Sequence, residues 1–267
     1  MTQGFLLFAH NNEEIDYALL AAWCARRIHN YLSKPVSLVA DAATVARLGK
    51  YQALFDKIIF SDVPLHQKRR YDTRFLNFNN YDRSSAWDLT PYDETMVIDT
   101  DIVIQSNVMN CVWNSNYNLM VCARSVDGYT NEIEEEFRVL NETSIKFYWA
   151  TQFYFKKNSE SEIFFKTCKW IRKNYIWLSR VYDIDPKLLR NDYIWSIAVH
   201  MLHCENTLPW TLLHSTYRSN VYNITDHNVI LYKPGFGVRK IVKHDVHVMH
   251  KDDLIKLVKK EMELAND

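Results

Sequence analysis

The chain has 267 residues, and its 32 Lys+Arg balance 32 Asp+Glu, so it carries no formal net charge. It is 48% hydrophobic, with only 5 Gly and 6 Pro where average usage would give roughly 32 together. Disordered, linker-rich and collagen-like chains are excluded by that composition, and a protein that coats nucleic acid by bulk electrostatics is excluded by the charge.

Gly4–Ala9 is a short apolar run that reads as a buried strand. Asn11 or Asn12 can cap a helix with Glu13, Glu14 and Asp16 in its first turn, running through Leu20, Trp23 and Ile28 to Ser33. Val36–Ala40 is a second strand ending at Asp41, Ala42–Leu48 a short helix and Lys57–Phe60 a third strand. This β-α-β-α-β order predicts a parallel sheet with right-handed crossovers. Residues 61–83 show no clear period, which reads as a long loop carrying Lys68-Arg69-Arg70 and Arg74 among aromatics. A helical segment, Arg83–Leu89, precedes a strand at Thr95–Ile98. Further strands are expected at Asn118–Val126, Phe147–Phe155, Val229–Tyr232 and Val246–Met249. Helices are expected at Glu160–Trp177, Asn191–His203 and Lys251–Leu264. No repeat and no Gly-Pro-Ser linker interrupts this order, so residues 1–267 are expected to form a single α/β domain.

Residues 1–150 hold 14 basic and 19 acidic residues, whereas residues 151–267 hold 18 and 13. The split suits a carboxylate-rich, metal-binding half joined to a half that meets an anionic ligand, or simple fluctuation. The five cysteines are scattered without Cys-x-x-Cys spacing, as expected of reduced thiols. The first residues show neither a basic leader nor a cleavage site, and the longest apolar stretch, Tyr17–Ala25, is far short of a membrane span. A soluble, cytoplasmic protein is expected.

No glycine-rich phosphate cradle is present, so any bound phosphate must be met by side chains or a metal. Asp99-Thr100-Asp101 follows a strand and places two carboxylates within reach of one hard divalent cation. With 19 Asp in the chain, chance gives about 1.4 such pairs, so the spacing alone shows nothing. Context separates this pair from Asp183/Asp185, because open α/β sheets bind ligands beyond the carboxyl ends of their strands. His10, Asn11 and Asp41 end the first two strands and suit a base and ribose. Among His244, His247 and His250, one imidazole can complete the coordination of Mn²⁺ or Mg²⁺. A zinc hydrolase built on these three is weaker, for no His-Glu-x-x-His helix is present. Asp192 opens a helix, either as a dipole-favoured carboxylate or as a general base.

Four segments occur together and in order: GFLLFAHNNEEIDY from Gly4, YWATQFYF from Tyr148, RNDYIWSIA from Arg190 and VHVMHK from Val246. With SAWDLTPYDET before Asp99-Thr100-Asp101, they resemble nucleotide-diphospho-sugar glycosyltransferases of the GT-A fold, more narrowly those encoded by tailed bacteriophages. The resemblance implies a single GT-A (Rossmann-like) α/β domain with a mixed, mainly parallel sheet. A donor and metal half would span about residues 1–125 and an acceptor half about residues 126–267. It implies a metal-dependent transferase using a nucleotide sugar, a UDP-sugar first of all. Asp99, Asp101 and His247 would hold Mn²⁺ or Mg²⁺. His10, Asn11, Asp41, Arg83, Asp99 and Lys251 would bind the donor. Trp149, Thr151, Asn191 and Tyr193 would line the acceptor, with Asp192 as the catalytic carboxylate. The implied acceptor is 5-hydroxymethylcytosine in phage DNA, met through a basic face. A glycan, lipopolysaccharide or protein hydroxyl, or a non-catalytic nucleotide-sugar binder, are the alternatives.

Overall fold

A computed structural model describes residues 1–61, 65–71, 74–80, 82–133, 138–141, 145–215 and 219–264, with the backbone alone for 65–71, 74–80 and 264. In chain order the elements are β1 (Gln3–Ala9), α1 (Tyr17–Leu32), β2 (Val36–Ala40), α2 (Ala42–Leu48), β3 (Lys57–Phe60), β4 (Leu65–Tyr71), β5 (Arg74–Asn80), α3 (Ala86–Leu89), β6 (Glu94–Ile98), β7 (Ile102–Val103) and β8 (Leu119–Cys122). Then come β9 (Ser125–Asp127), β10 (Trp149–Lys156), α4 (Ser159–Lys173), α5 (Tyr175–Val181), α6 (Asn191–Leu202), β11 (Leu212–Ser215), β12 (Asn220–Ile224), β13 (Asn228–Lys233), β14 (Gly237–Val242), β15 (Val246–Val248) and α7 (Lys251–Leu264).

The main sheet has the order β3-β2-β1-β6-β10-β8. Its first four strands are parallel, and β10 runs antiparallel to both β6 and β8. The sheet is therefore mixed and mainly parallel. Both of its faces are covered, which is why β1, β2 and β6 read as continuous apolar runs. Alternate side chains serve two cores. Phe5, Leu7 and Met96 pack with Trp23 and Leu20 of α1 and Leu254 and Val258 of α7. Leu6, Val97 and Phe153 pack with Phe164 and Phe165 of α4 and Trp195 of α6. A smaller sheet, β7-β15-β11-β9, and a three-stranded sheet, β12-β13-β14, complete the chain. No helix among the described residues is long and apolar enough to cross a membrane. Cys24, Cys111, Cys122, Cys168 and Cys204 are free.

Several expectations from sequence are corrected. Helix α1 begins at Tyr17, capped by Asp16 rather than by Asn11 or Asn12. The Asn12 side chain instead accepts from the N–H groups of Glu14 and Ile15, a local turn that keeps Glu13 and Glu14 out of the helix. The expected strand Asn118–Val126 is two strands, because β8 pairs with β10 while β9 crosses to β11 in the second sheet. The expected helix Glu160–Trp177 breaks at Asn174, whose amide donates to the Trp170 carbonyl. The expected loop 61–83 holds an antiparallel ribbon, β4 with β5, in register from Leu65↔Asn80 to Tyr71↔Arg74. The cations expected there, Lys68, Arg69, Arg70 and Arg74, lie on these strands, and their side chains are outside the described part.

Gly4 of β1 faces the ring of Tyr92, whose hydroxyl meets Ser37 Oγ at 2.8 Å. A Cβ at residue 4 would lie 2.4 Å from Tyr92 Cζ. Gly4→Ala is expected to lose ~1–3 kcal/mol in denaturant unfolding. In a Tyr92→Ala background, where the ring is gone, the same change should cost less than ~0.5 kcal/mol. Equal losses in both backgrounds would show that the close approach is not the cause.

Candidate active site

Strands β1, β2 and β6 are parallel, so their carboxyl ends gather His10, Asp41 and Asp99 at one edge of the sheet. His10 Nδ1 lies 2.8 Å from Asp41 Oδ2, and Asp41 Oδ1 accepts from Thr44 N to cap α2. Asn11 is engaged with α1: its Oδ1 accepts from Ala18 N at 2.7 Å and its Nδ2 donates to Asp16. Its own N–H donates to Thr44 Oγ1, which draws the two strand ends together.

The loop after β6 is held from two sides. Asp99 N donates to the Thr151 carbonyl of β10, and Val248 N of β15 donates to the Asp101 carbonyl. Strand β15 pairs with β7, setting His247 opposite Ile102. Asp99, Asp101 and His247 thereby present one ligand atom each, all within 4.8 Å of one another. Asp101 Oδ1 and His247 Nδ1 are buried and make no hydrogen bond to any described residue. His247 Nε2 stands 3.5 Å from Asp101 Oδ1, and Lys251 Nζ stands 2.6 Å from Asp101 Oδ2. Arg83 pairs with Asp99 and lies over the Phe8 ring at 4.6 Å.

These charges set the protonation of the loop. Burial opposes ionisation of Asp101, but the Lys251 ammonium and His247 outweigh it and hold the carboxyl well below its usual range. Burial pushes Asp99 up, against the pull of Arg83. Lys251 is held cationic: burial works against its charge and the nearby Asp101 carboxylate overcomes it. The orphaned Asp101 Oδ1 and His247 Nδ1, with the Asp99 carboxylate beside them, fit a hard divalent cation such as Mn²⁺ or Mg²⁺.

The remaining expected residues lie at the start of β10 and in the first turn of α6. Trp149 is buried, donates to Ser125 Oγ at 2.9 Å and meets His247 edge-on at 6.0 Å between ring centroids. Asp192, in the first turn of α6, accepts from Ala150 N at 2.9 Å through Oδ1 and pairs with Arg190 at 3.0 Å through Oδ2. Tyr193 packs against Phe147 and under the Arg190 guanidinium. Asn191 Oδ1 accepts from Arg172 Nη2 at 2.7 Å. Of the three expected histidines, His247 alone joins the carboxylates; His244 is exposed and His250 half-buried beyond the strand. Asp183 and Asp185 sit in the turn after α5, where Asp185 caps Lys187 N.

Sequence reading missed three participants. Arg172 spans from Asn191 to Asp82, at 2.9 Å, and so connects α6 to the segment carrying Arg83. In the sequence it looks like an ordinary last-turn cation. Arg190 was visible beside Asp192 but unassigned. His214 lies opposite His247 across the β11–β15 pair and 5.7 Å from Trp149 between ring centroids. Nothing in its sequence context marks it.

No protein-family model matches the chain, and no curated protein matches it. Solved structures do. The galactosyltransferase LgtC, crystallised with donor and acceptor sugar analogues, superposes with a TM-score of 0.51 at 14% identity, over 98% of this chain and 95% of that one. An active-site mutant of LgtC superposes with a TM-score of 0.50 at 13% identity, over the same shares of the two chains. The fold is GT-A.

Burial and the neighbouring His247 lower the pKa of His214 to about 4. An unfolded histidine, with its pKa near 6.5, takes a proton first as pH falls. The stability this group contributes is therefore complete above about pH 6.5 and is lost as pH drops towards about 4. His214→Gln should flatten that fall, worth up to about 3 kcal/mol, in unfolding midpoints taken from pH 7 to 4. Parallel pH profiles for the two proteins would contradict it.

Proposed function

We propose that the chain is a metal-dependent glycosyltransferase moving a sugar from a nucleoside diphosphate sugar, a UDP-sugar first of all, to a hydroxyl acceptor. One observation carries this reading: Asp99, Asp101 and His247 converge at the carboxyl edge of a GT-A sheet, flanked by the cations Lys251 and Arg83. A divalent ion bound there would supply charge neutralisation for the diphosphate.

The chain's own residues account for the rest of the work. In this reading His10 and Asp41, paired at the carboxyl ends of β1 and β2, meet the base and ribose of the donor. Lys251 and Arg83 meet the diphosphate, whose charge grows as the sugar leaves. Fixed donors in a buried site stabilise that charge more than water does. Asp192, oriented by Ala150 N–H and Arg190, accepts a hydrogen bond from the incoming hydroxyl with its remaining lone pairs. Trp149, Thr151, Asn191 and Tyr193 shape the acceptor side. Asn11 contributes by fixing the entry of α1 beside the donor.

For the acceptor, we propose 5-hydroxymethylcytosine in DNA, as the phage-encoded resemblance implies, with the enzyme working in the cytoplasm. The excess of 18 basic over 13 acidic residues in 151–267 supports it. A saccharide acceptor is the second reading, favoured by the acceptor sugar analogue bound to the galactosyltransferase of the same fold.

A thermal-shift series with UDP, GDP, CDP and their sugars, with and without Mn²⁺, tests the donor. A metal-dependent rise with UDP is expected, and Asp101→Ala should abolish it; Asp101→Asn, which preserves shape, should do the same. A wild-type response in both variants would overturn the metal assignment. Mass spectrometry of nucleosides from hydroxymethylcytosine DNA incubated with UDP-sugars and Mn²⁺ should show a glycosylated nucleoside. No mass shift with any donor, alongside turnover on a saccharide, would transfer the assignment to the second reading.

A further inference from the structure

The β12-β13-β14 sheet is antiparallel, with one face in the core. Val221, Val229, Leu231 and Ile241 point inward and are buried. The register places Asn220 opposite Tyr232, Tyr232 opposite Val238, Ile230 opposite Lys240, and Asn228 opposite Val242, all on the other face. That outward face should be polar. Instead Tyr222 is 68% exposed, Val238 65%, Val242 49% and Tyr232 40%. At the tip of the β13–β14 turn, Phe236 is 72% exposed, with Lys233 Nζ 4.5 Å over its ring. No helix or strand among the described residues covers this face.

Its charge is one-sided. Residues 220–243 carry Lys233, Arg239, Lys240 and Lys243 against a single carboxylate, Asp226. Arg239 turns inward to the Tyr129 carbonyl, while Lys240 is exposed on the outward face and Lys243 is exposed just past the end of β14, at the border of that face. Flat rings for stacking, bordered by cations, are what an unpaired nucleic acid strand requires: bases meet the rings and phosphates meet the ammonium groups. A second copy of the chain is disfavoured, because a two-fold interface on this patch would crowd its lysines together. A neutral glycan would use the tyrosines and leave the lysines without partners.

We propose that the outward face of β12-β13-β14 is a binding surface for single-stranded nucleic acid, with Tyr222 and Tyr232 stacking on bases and Lys240 and Lys243 contacting phosphates. Only residues 243–245 separate β14 from β15, the strand carrying His247, so the surface is continuous in the chain with the metal-binding edge. The inference deepens the DNA reading of the acceptor and rests on it for its role, though not for its test.

The test is fluorescence anisotropy of a labelled, unmodified single-stranded 12-mer titrated with the full chain at several salt concentrations. Binding should weaken with salt, with a log–log slope of about −0.7 per phosphate contacted. Tyr222→Ala with Tyr232→Ala should weaken it at least tenfold with little change in the slope. Lys240→Glu with Lys243→Glu should weaken it at least tenfold and make the slope shallower. All these residues are exposed, so ligand-free melting temperatures should match wild type and report that the variants fold. No binding of the 12-mer, or binding that both double variants retain, overturns the proposal. So does affinity for a neutral oligosaccharide or for anionic phosphatidylserine vesicles, lost in the same variants, in place of strand binding. Failure here leaves the donor thermal shift and the nucleoside mass spectrum to decide the transferase reading separately.

Discussion

The ion pair between Asp101 and Lys251 is the contact on which the site depends. A carboxylate buried to 3% exposure is costly unless a cation faces it, and Lys251 does so from the start of α7, 2.6 Å away. This pairing binds the C-terminal helix to the loop after β6. The same helix lays Leu254 and Val258 on α1 and the central sheet. Packing of the last fourteen helical residues and the charge state of the candidate metal loop are therefore one problem. The second carboxylate follows the same logic, with Arg83 facing Asp99 and its guanidinium resting on Phe8.

Charge pairing also connects the two sides of the site. Arg172 leaves α4, reaches Asn191 at the start of α6, and reaches Asp82 beside Arg83. Arg190 and the Ala150 N–H orient Asp192. Arg172 thus ties the start of α6 to the segment before α3, and Arg190 fixes the carboxylate beside it. Burial lowers the pKa of Arg172, while its Asp82 partner works the other way. Such a cation holds its place only while its acceptors remain in position.

The parallel half of the fold was legible because its signals are local. Apolar runs ending at His10, Asp41 and Asp99 are strands with both faces covered, and a period of 3.6 between them marks the helices. The carboxylate pair was legible by context, past a strand, whereas His247 stood out from His244 and His250 only through the resemblance. What was not legible had two sources: a choice between two local hydrogen-bonding roles, and partners far away in the chain. Asn12 looked like a helix cap, but its side chain closes a turn two and three residues on. The run from Asn118 to Val126 looked like one strand, but its two ends pair with different sheets. His214 carried no signal, because its environment is made by Trp149 and His247 from other strands.

The sequence by itself determined the class of chemistry open to this protein. No glycine-rich phosphate cradle is present, so any bound phosphate must be met by side chains or a metal, and the order of the candidate carboxylates, histidines and cations along the chain is explicit. The tertiary structure alone decided which of them meet. It brought His247, the histidine that the resemblance implied, up to the carboxylates, because β15 sets it opposite Ile102. It engaged Asn11 with α1 and Asp192 with Arg190. It also turned two tyrosines and Lys240, unremarkable in the sequence, onto one sheet face, with Lys243 at its border. Distances between residues a hundred positions apart are set by strand register and core packing, which no local pattern encodes.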